Sequence, residues 1–378
     1  MQGLGLNKNK IDLDLEDEKA ACILGKALDG ESLSKKELMY LATRYDTDIS
    51  LAMFQVARRI CERNFGKKVF LYGFVYFSTF CRNLCAFCYY RKDNKIAPRY
   101  RKKMEEVLEA VDWLIKSGVH LVDLTMGEDP QICEVENYKP LLDLCREIKR
   151  GYDHPLMLSP GVVPPEILSE LSNIGVDWYA LYQETYNREL FAKLKPGQSF
   201  EERLRAKIMA REKGLLVEDG ILLGIGEDEE DVVDSIFMMK SIKAQQVRVM
   251  GFQPQPGTPL EKMPPPPILE EMRTIAMMRL VHQDRLIPAS YDIDGLKGLE
   301  LRIMAGANVV TSLVPPNMGF HGVAQPKLDI DGKRRTVEGV LPYLRRLGLE
   351  PATKQSYQMW LEKEKEIVFS EREGRVRV

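Results

Sequence analysis

Three cysteines lie close together in the chain, at Cys81, Cys85 and Cys88. Their spacing is C-x3-C-x2-C, and Phe87 directly precedes the third of them. Three thiolates on one short loop can bind three irons of a 4Fe–4S cluster and leave the fourth iron open to another ligand. A zinc site needs a fourth ligand nearby, but the next cysteine is Cys133 and the chain has only 4 histidines. Buried structural thiols are the other alternative. The spacing favours a cluster held by the three cysteines.

The same motif resembles the signature of the radical SAM superfamily, in which the open iron binds S-adenosylmethionine (SAM). The resemblance implies that one electron from the reduced cluster cleaves SAM to methionine and a 5′-deoxyadenosyl radical. It therefore implies two cofactors, a 4Fe–4S cluster and SAM. A motif of this kind is a hypothesis that its structural context has to support.

Short β-rich segments alternate with amphipathic segments of helical length after residue 66. Helices are predicted at Met104–Ser117, Tyr138–Gly151, Phe200–Gly214 and Glu229–Ile242. Strands are predicted at Val69–Ser78, His120–Met126, Pro155–Ser159, Trp178–Gln183, Leu215–Ile225, Val247–Phe252, Leu286–Asp292 and Asn308–Leu313. Such alternation predicts parallel pairing through right-handed crossovers, and hence an α/β fold, a (β/α)8 TIM-type barrel. These barrels carry their chemistry on the loops after the strands, and the cysteines follow the first predicted strand.

The chain divides into three predicted parts. Apolar residues recur at helical spacing in residues 16–66, so residues 1–66 are predicted to form an N-terminal helical extension. Residues 67–316 form the predicted barrel, a size at which a barrel is commonly one domain. Residues 317–378 are predicted to be C-terminal helices packed on the barrel.

Composition restricts the location and the partners. With 54 basic and 56 acidic residues the net charge is −2, whereas nucleic-acid-binding domains usually carry a basic excess. No segment is apolar over the length of a membrane span, and the segment Met1–Lys8 runs into an acidic stretch instead of the apolar core of a signal peptide. Seven cysteines, an odd number of which three are assigned to a cluster, favour a reducing compartment. The sequence therefore predicts a cytoplasmic protein without nucleic-acid or membrane partners.

Polar residues interrupt three of the predicted strands. Asp123 shares one face of the second strand with Thr125, Ser290 shares a face of the seventh with Asp292, and Arg248 interrupts the sixth. Charges are rare inside parallel barrel strands and are costly to bury without a partner. One interpretation is a structural ion-pair network in which Arg248 balances one aspartate. The other is a ligand, because two carboxylates and a guanidinium match a dibasic amino acid.

Further polar residues stand where predicted strands end. Glu128 follows the second strand in the run Met126-Gly127-Glu128, which resembles the Gly-Gly-Glu that meets the SAM amino group in the superfamily, with Met126 in place of the first glycine. Ser159 ends the third strand, Glu184 follows the fourth, and Arg203 lies on the next helix. A helix cap or a surface salt bridge explains each of them alone. Together they offer a hydroxyl, a carboxylate and a guanidinium to SAM.

Longer segments across the barrel resemble the methylornithine synthase family, a group of radical SAM mutases in pyrrolysine biosynthesis. The segments are Tyr76–Cys81, Val122–Pro130, Ala180–Tyr186, Arg285–Ser290 and Gly306–Ser312. The resemblance implies conversion of L-lysine to (3R)-3-methyl-D-ornithine, the first step of that pathway, by hydrogen abstraction, fragmentation and recombination. It also implies an electron donor such as flavodoxin or ferredoxin.

The resemblance implies a role for each polar position as well. Cys81, Cys85 and Cys88 are implied to hold the cluster, and Ser159, Glu184, Arg203 and Glu128 to bind SAM. The implied substrate ligands are Arg248 and Ser290 for the lysine carboxylate, Asp292 for the α-amino group and Asp123 for the distal ammonium group.

Two other functions stay open at the level of sequence. Another enzyme of the biotin synthase-like branch, for sulfur insertion or hydrogenase maturation, would act on a different small amino-acid-like substrate. Sulfur insertion needs extra cysteines in the lumen, whereas Cys22, Cys61, Cys133 and Cys145 are predicted to be packing residues. A non-catalytic iron–sulfur protein of electron transfer is the second alternative, and it would not need opposed charges inside a barrel.

Overall fold

Eight parallel strands form a barrel in the computed structural model of the chain, which describes residues 15–290, 294–320, 322 and 335–376. The strands are β1 (Lys68–Ser78), β2 (Leu121–Met126), β3 (Leu156–Ser159), β4 (Trp178–Ala180), β5 (Leu216–Leu223), β6 (Gln246–Gly251), β7 (Pro288–Ser290) and β8 (Val309–Leu313). They pair in the order β6-β5-β4-β3-β2-β1-β8-β7. A parallel bridge between Gln246 and Leu286 joins β6 to the segment before β7, so the barrel is nearly closed. The predicted (β/α)8 fold is confirmed.

Helices connect the strands and extend the barrel at both ends of the chain. They are α1 (Glu18–Leu28), α2 (Lys35–Ala42), α3 (Thr47–Phe65), α4 (Met104–Ser117), α5 (Lys139–Gly151), α6 (Pro165–Ile174), α7 (Arg188–Leu194), α8 (Phe200–Glu212), α9 (Glu229–Ser241), α10 (Ile268–Val281), α11 (Gly295–Met304), α12 (Val337–Arg346) and α13 (Lys354–Val376). A short strand, β9 (Glu350–Pro351), pairs with the start of β1. Among the described residues, none of these helices is both long and apolar enough to cross a membrane.

Three strands end before their predicted ends: β4 by three residues, β5 by two and β6 by one. β4 ends at Ala180 although the predicted strand ran to Gln183, because the Gln183 N–H donates to the Asp219 carboxylate at 2.9 Å instead of to a strand carbonyl. Glu184 then adopts a left-handed φ of 71° and forms an isolated parallel bridge with Ile221 on β5, so the regular strand does not continue. The predicted end of the seventh strand at Asp292 lies outside the described residues.

The first three helices pack on the outside of the barrel. α3 lies along α10, and α2 lies against α9. The buried guanidinium of Arg273 on α10 ties these layers together, because it donates to the carbonyls of Leu41 at 3.0 Å and Ala42 at 3.2 Å. The division of the chain at residues 66 and 316 stays a prediction.

Helix α13 closes the end of the barrel at which the strands begin. Trp360 stacks on Trp178 of β4 with ring centroids 5.8 Å apart, and the Tyr357 hydroxyl lies 2.9 Å from that of Tyr72 on β1. These aromatic residues form an apolar layer with the first residues of several strands. Because α13 fills this end, the part of the lumen that the described residues form opens toward the loops that follow the strands.

Candidate active site

The cysteine loop follows β1 and lies at the open end of the barrel. Cys81, Cys85 and Cys88 line one cavity together with residues from the inner faces of the strands. The loop rests directly on the end of β2, where a side chain at Gly127 would meet the Phe80 carbonyl oxygen at 2.2 Å. Glycine at this position therefore allows the backbone of the loop and the strand to touch. Met126, which replaces the first glycine of the superfamily pattern, is buried and lines the cavity.

The three thiols suit a cluster better than a single ion. Burial raises the pKa of Cys81 and Cys88, and the negative charge of neighbouring thiolates raises it further. Such thiols become stable ligands only when a metal supplies positive charge. Among the described residues, no group of three His, Cys, Asp or Glu side chains is placed to share one metal ion. A 4Fe–4S cluster needs no shared ion, because each thiolate binds a separate iron.

Two residues that the sequence analysis missed reach the cysteines. Gln198 donates its side-chain N–H to the Cys85 sulfur at 3.1 Å. Lys195 is 3% exposed, lies 5.3 Å from the centroid of the Phe87 ring, and lowers the pKa of Cys88 against the larger effect of burial. Both follow α7, which also meets the cysteine loop through a hydrogen bond between its last carbonyl and the Ala86 N–H, 2.7 Å long. Their signal in the sequence was weak, since an isolated Lys is usually exposed.

The four residues predicted to bind SAM surround the cavity between β2, β3 and β4. Glu184 lies 3.3 Å from the ammonium group of Lys195. Arg203 donates to the Tyr182 carbonyl at 2.6 Å and lies 3.9 Å from Glu128. All four line the cavity, and all except Ser159, which is half-buried, are buried. The structure therefore brings them together, while their roles stay predictions.

Glu128 is held in place from two sides. Its carboxylate accepts a hydrogen bond from the Arg82 guanidinium at 3.0 Å and one from the Val162 N–H at 3.2 Å. A side chain at Gly161, where φ is 82°, would meet the carboxylate carbons of Glu128. This glycine leaves the space in which Glu128 lies across the edge of the cavity.

Deeper in the cavity the strands present opposite charges. Arg248 on β6 donates to the Tyr182 hydroxyl at 2.6 Å and to the Thr311 hydroxyl, and lies 3.7 Å from Glu218 on β5. The Tyr182 hydroxyl in turn donates to Glu218 at 3.0 Å. Among the described residues, the carboxylate that pairs with Arg248 is therefore Glu218, which the sequence analysis did not consider.

Asp123 on β2 faces the same space without a cation of its own. It accepts hydrogen bonds from Thr125 at 3.2 Å and Ser159 at 3.5 Å, and no Lys or Arg of the described residues lies within ion-pair distance. Burial raises its pKa to about 7; the charge of Glu218 adds to this effect and Arg248 opposes it. A carboxyl group in this state gains most from a ligand that brings positive charge.

Glu218 is another residue that the sequence analysis missed, although the local sequence contained a sign of it. The run Leu215-Leu216-Val217-Glu218-Asp219-Gly220 places two acids inside an apolar strand. Alternation sends them to opposite faces: Glu218 lines the lumen, whereas Asp219 faces α8 and pairs with Lys207 at 2.9 Å. Only the first of the two therefore belongs to the site.

The structure does not place the other two predicted substrate ligands, Ser290 and Asp292, in the cavity. Ser290 is buried in register with Thr311, next to the hydroxyl that contacts Arg248, but among the described residues it is not one that lines the cavity. Asp292 lies outside the described residues.

The remaining cysteines lie away from the cavity. Cys61, Cys133 and Cys145 are buried, as predicted for packing residues, whereas Cys22 is exposed and its prediction as a packing residue is wrong. The residue projects from the outer face of α1, whose buried positions are its neighbours Ile23 and Leu24. Within the described part of the chain, the cavity is lined by no cysteine beyond the three of the loop.

Comparison with known proteins agrees with this barrel and cysteine loop. A family model described as the radical SAM superfamily matches residues 75–239, from β1 to α9. The chain is also 31% identical over 270 residues to the [FeFe] hydrogenase maturase subunit HydE of Thermotoga maritima, which covers 70% of this chain and 76% of that protein. The fold and the site thus define a radical SAM enzyme.

More similar relatives narrow the class. The chain is 40% identical over 333 residues to 3-methylornithine synthase of Methanosarcina acetivorans, a match that covers 88% of this chain and 94% of that protein. The crystal structure of methylornithine synthase (PylB) matches with a TM-score of 0.84 at 40% identity, covering 89% of this chain and 99% of that one. The chain belongs to the 3-methylornithine synthase family.

Proposed function

We propose that the chain converts L-lysine to (3R)-3-methyl-D-ornithine in the cytoplasm, with electrons from a carrier such as flavodoxin or ferredoxin. The observation that carries the proposal is Asp123, a lumen carboxylate that has a raised pKa and no ion pair with a Lys or Arg of the described residues. An ammonium group is the simplest partner for it. Family membership supplies the reaction, and the charges of the lumen support the substrate.

The described lumen complements lysine in net charge. Between β2, β5 and β6 it presents the carboxylates of Asp123 and Glu218 and the guanidinium of Arg248. With both acids ionised the net charge is −1, and lysine at neutral pH carries +1. In water-poor surroundings such attraction is much stronger than in bulk water.

The two ends of the substrate have different partners in this proposal. The ammonium group of the lysine side chain pairs with Asp123, while the carboxylate pairs with the guanidinium of Arg248, which its contacts with Tyr182 and Thr311 hold in the lumen. Asp292 is proposed for the α-amino group and Ser290 for the carboxylate.

The cofactors fit the remaining side chains. Cys81, Cys85 and Cys88 would hold a 4Fe–4S cluster, and Glu128, Ser159, Glu184 and Arg203 would bind SAM. When bound, these two groups would supply the 5′-deoxyadenosyl radical, which takes a hydrogen atom from the substrate and returns one to the rearranged radical, because lysine and methylornithine are isomers.

The chain's own residues then restrict what the substrate radical does. Asp123 and Arg248 hold opposite ends of the molecule while the carbon skeleton fragments and recombines, so that neither fragment leaves. The aromatic layer beneath the lumen, which includes Tyr72, excludes water from that side. Fixed distances and exclusion of water are the contributions that a protein makes to such chemistry.

Anaerobic incubation of the iron-loaded enzyme with dithionite, SAM and isotopically labelled lysine tests the proposal. Mass spectrometry should find labelled methylornithine together with 5′-deoxyadenosine, and the Cys85→Ala variant should form neither. Cleavage of SAM with the labelled lysine recovered unchanged would contradict the assignment of the substrate.

A further inference from the structure

A basic segment directly follows the cysteine loop. Residues 91–103, called the basic loop, contain one acidic residue, Asp93, and seven basic ones: Arg91, Lys92, Lys95, Arg99, Arg101, Lys102 and Lys103. The whole chain has slightly more acidic than basic residues, 56 against 54. The segment therefore concentrates positive charge at one place on a chain that is otherwise balanced.

Two arginines hold the basic loop in place. The Arg99 guanidinium donates to the carbonyls of Tyr90 at 2.9 Å and Asn94 at 3.3 Å. Arg101 forms a bidentate pair with the buried Asp129, with both bonds 2.7 Å long. These contacts give the segment one defined conformation although it has no helix and forms only one isolated bridge.

Two lysines and an isoleucine project from this held segment. Lys92 and Lys95 are exposed, and no carboxylate of the described residues lies within ion-pair distance of either. Ile96, which follows Lys95 in the chain, is 64% exposed. The turn that presents them is fixed by the buried Asn94, which accepts from the Ile96 N–H at 3.1 Å and donates to the Pro256 carbonyl at 2.9 Å.

Backbone hydrogen bonds and a short stretch of chain connect the exposed turn to the cysteine loop. The Lys92 N–H donates to the carbonyl of Asn83, between the first two cysteines, at 2.7 Å. The Arg91 N–H donates to the Cys88 carbonyl at 3.1 Å. Lys92 follows Cys88 by four residues, which span at most about 14 Å even when fully extended. A protein seated on this turn would therefore lie next to the cluster.

We propose that Lys92, Lys95 and Ile96 form the docking surface for an acidic, low-potential one-electron carrier protein. The inference rests on the proposed function, in which the cluster needs an electron for each cleavage of SAM. One electron passes from the reduced carrier to the oxidised cluster, so the carrier is oxidised by one electron and the cluster is reduced by one. An apolar residue flanked by unpaired cations suits such a partner, because charge guides the encounter and apolar contact stabilises the complex.

The test measures how fast a protein donor reduces the cluster. Reduced flavodoxin, an acidic one-electron carrier, is mixed anaerobically with the iron-loaded enzyme in a stopped-flow instrument, and cluster absorbance is followed. The variant Lys92→Glu/Lys95→Glu should lower the second-order rate constant at least tenfold at low ionic strength. The difference should shrink as salt shortens the Debye length from about 30 Å at 0.01 M to about 10 Å at 0.1 M. Ile96→Ser should lower the rate at every salt concentration.

A matched double variant provides the control. Lys36→Glu/Lys363→Glu changes the net charge equally, but Lys36 lies on α2, which packs against α9 on the side of the barrel, and Lys363 lies on α13, which covers the end at which the strands begin. It should leave the rate constant unchanged. Equal effects of the two double variants would overturn the assigned surface.

Two further measurements separate this inference from the proposed function. SAM cleavage driven by dithionite should be the same in Lys92→Glu/Lys95→Glu and in the parent enzyme, whichever substrate the enzyme uses. Sedimentation distinguishes the other possible occupant: a dimer of the parent enzyme that the double variant dissociates, with unchanged reduction by flavodoxin, would identify a second copy of the chain and overturn the inference.

Discussion

At the scale of single residues, Asp123 decides how the lumen responds to pH. Its pKa of about 7 means that the free carboxyl group is largely protonated at pH 6 and ionised at pH 8. Only the ionised form pairs with an ammonium group, so lysine should bind about tenfold more tightly at pH 8 than at pH 6. Bound lysine lowers the pKa in turn, and a proton is released on binding below pH 7.

Calorimetric titration of lysine across this pH range measures the effect. Asp123→Asn should weaken binding and remove the pH dependence, whereas Asp112→Asn, a change on the outer helix α4, should do neither. Persistence of the pH dependence in Asp123→Asn would assign it to another group. The next candidate is Glu218, a second buried carboxyl group of the lumen whose pKa is raised by burial.

Lys195 is a second residue whose charge matters. A buried cation beside the cysteines stabilises the more negative, reduced form of a cluster. Lys195→Met should therefore make the cluster harder to reduce, with about a tenfold lower ratio of reduced to oxidised cluster at a fixed potential, or about 59 mV for one electron. A redox titration followed by electron paramagnetic resonance, without SAM, measures it.

Two variants serve as controls for this measurement. Lys195→Arg keeps the positive charge and should keep the potential, and Lys193→Met removes an exposed lysine from α7, the helix just before Lys195, and should have no effect. An unchanged potential in Lys195→Met would reduce the role of this lysine to its ion pair with Glu184.

At the scale of elements, the buried pair between α8 and β5 holds the strand that carries Glu218. Lys207 reaches Asp219 at 2.9 Å and Gln183 at 2.9 Å. Lys207→Met would leave the Asp219 carboxylate buried without its cation, and should lower the free energy of unfolding by about 3–5 kcal/mol. Chemical denaturation measures this difference.

The matched change on the same helix is Arg205→Met, at an exposed position, which should alter the free energy of unfolding little. The double variant Lys207→Met/Asp219→Asn should recover part of the loss, because no charge then remains buried. A double variant no more stable than Lys207→Met would show that the packing of the lysine chain, and not its charge, is what stabilises the strand.

At the scale of the whole molecule, the C-terminal helix takes part in the proposed reaction without touching the substrate. Tyr357 on α13 is 1% exposed and fills the base of the barrel beneath Tyr72. Tyr357→Ala should open this layer to water, so that more radicals are lost before product forms. The ratio of 5′-deoxyadenosine to methylornithine should therefore rise.

Chromatography of both products measures the ratio, and Tyr357→Phe is the control because it keeps the ring and removes only the hydroxyl. An unchanged ratio in a folded Tyr357→Ala variant would mean that the strands alone keep the lumen dry.

Much of this protein was predictable from local sequence. The cysteine spacing indicated a cluster on its own, because ligands on one short loop need no tertiary contact to come together. The strand positions followed from alternating apolar runs, and Asp123 and Arg248 stood out because charge is rare inside such strands. The barrel then follows from known rules of strand connection.

Other features depend on contacts between residues far apart in the chain. Neither the pairing of Glu218 with Arg248 nor the approach of Lys195 to the cysteine loop has a local signature, since each joins different elements. The division of Glu218 and Asp219 between lumen and outer face depends on register, which only the closed barrel defines. Sequence thus determined which chemical groups are present, whereas the tertiary structure decided which of them meet, because distance and burial set the charge that each group feels.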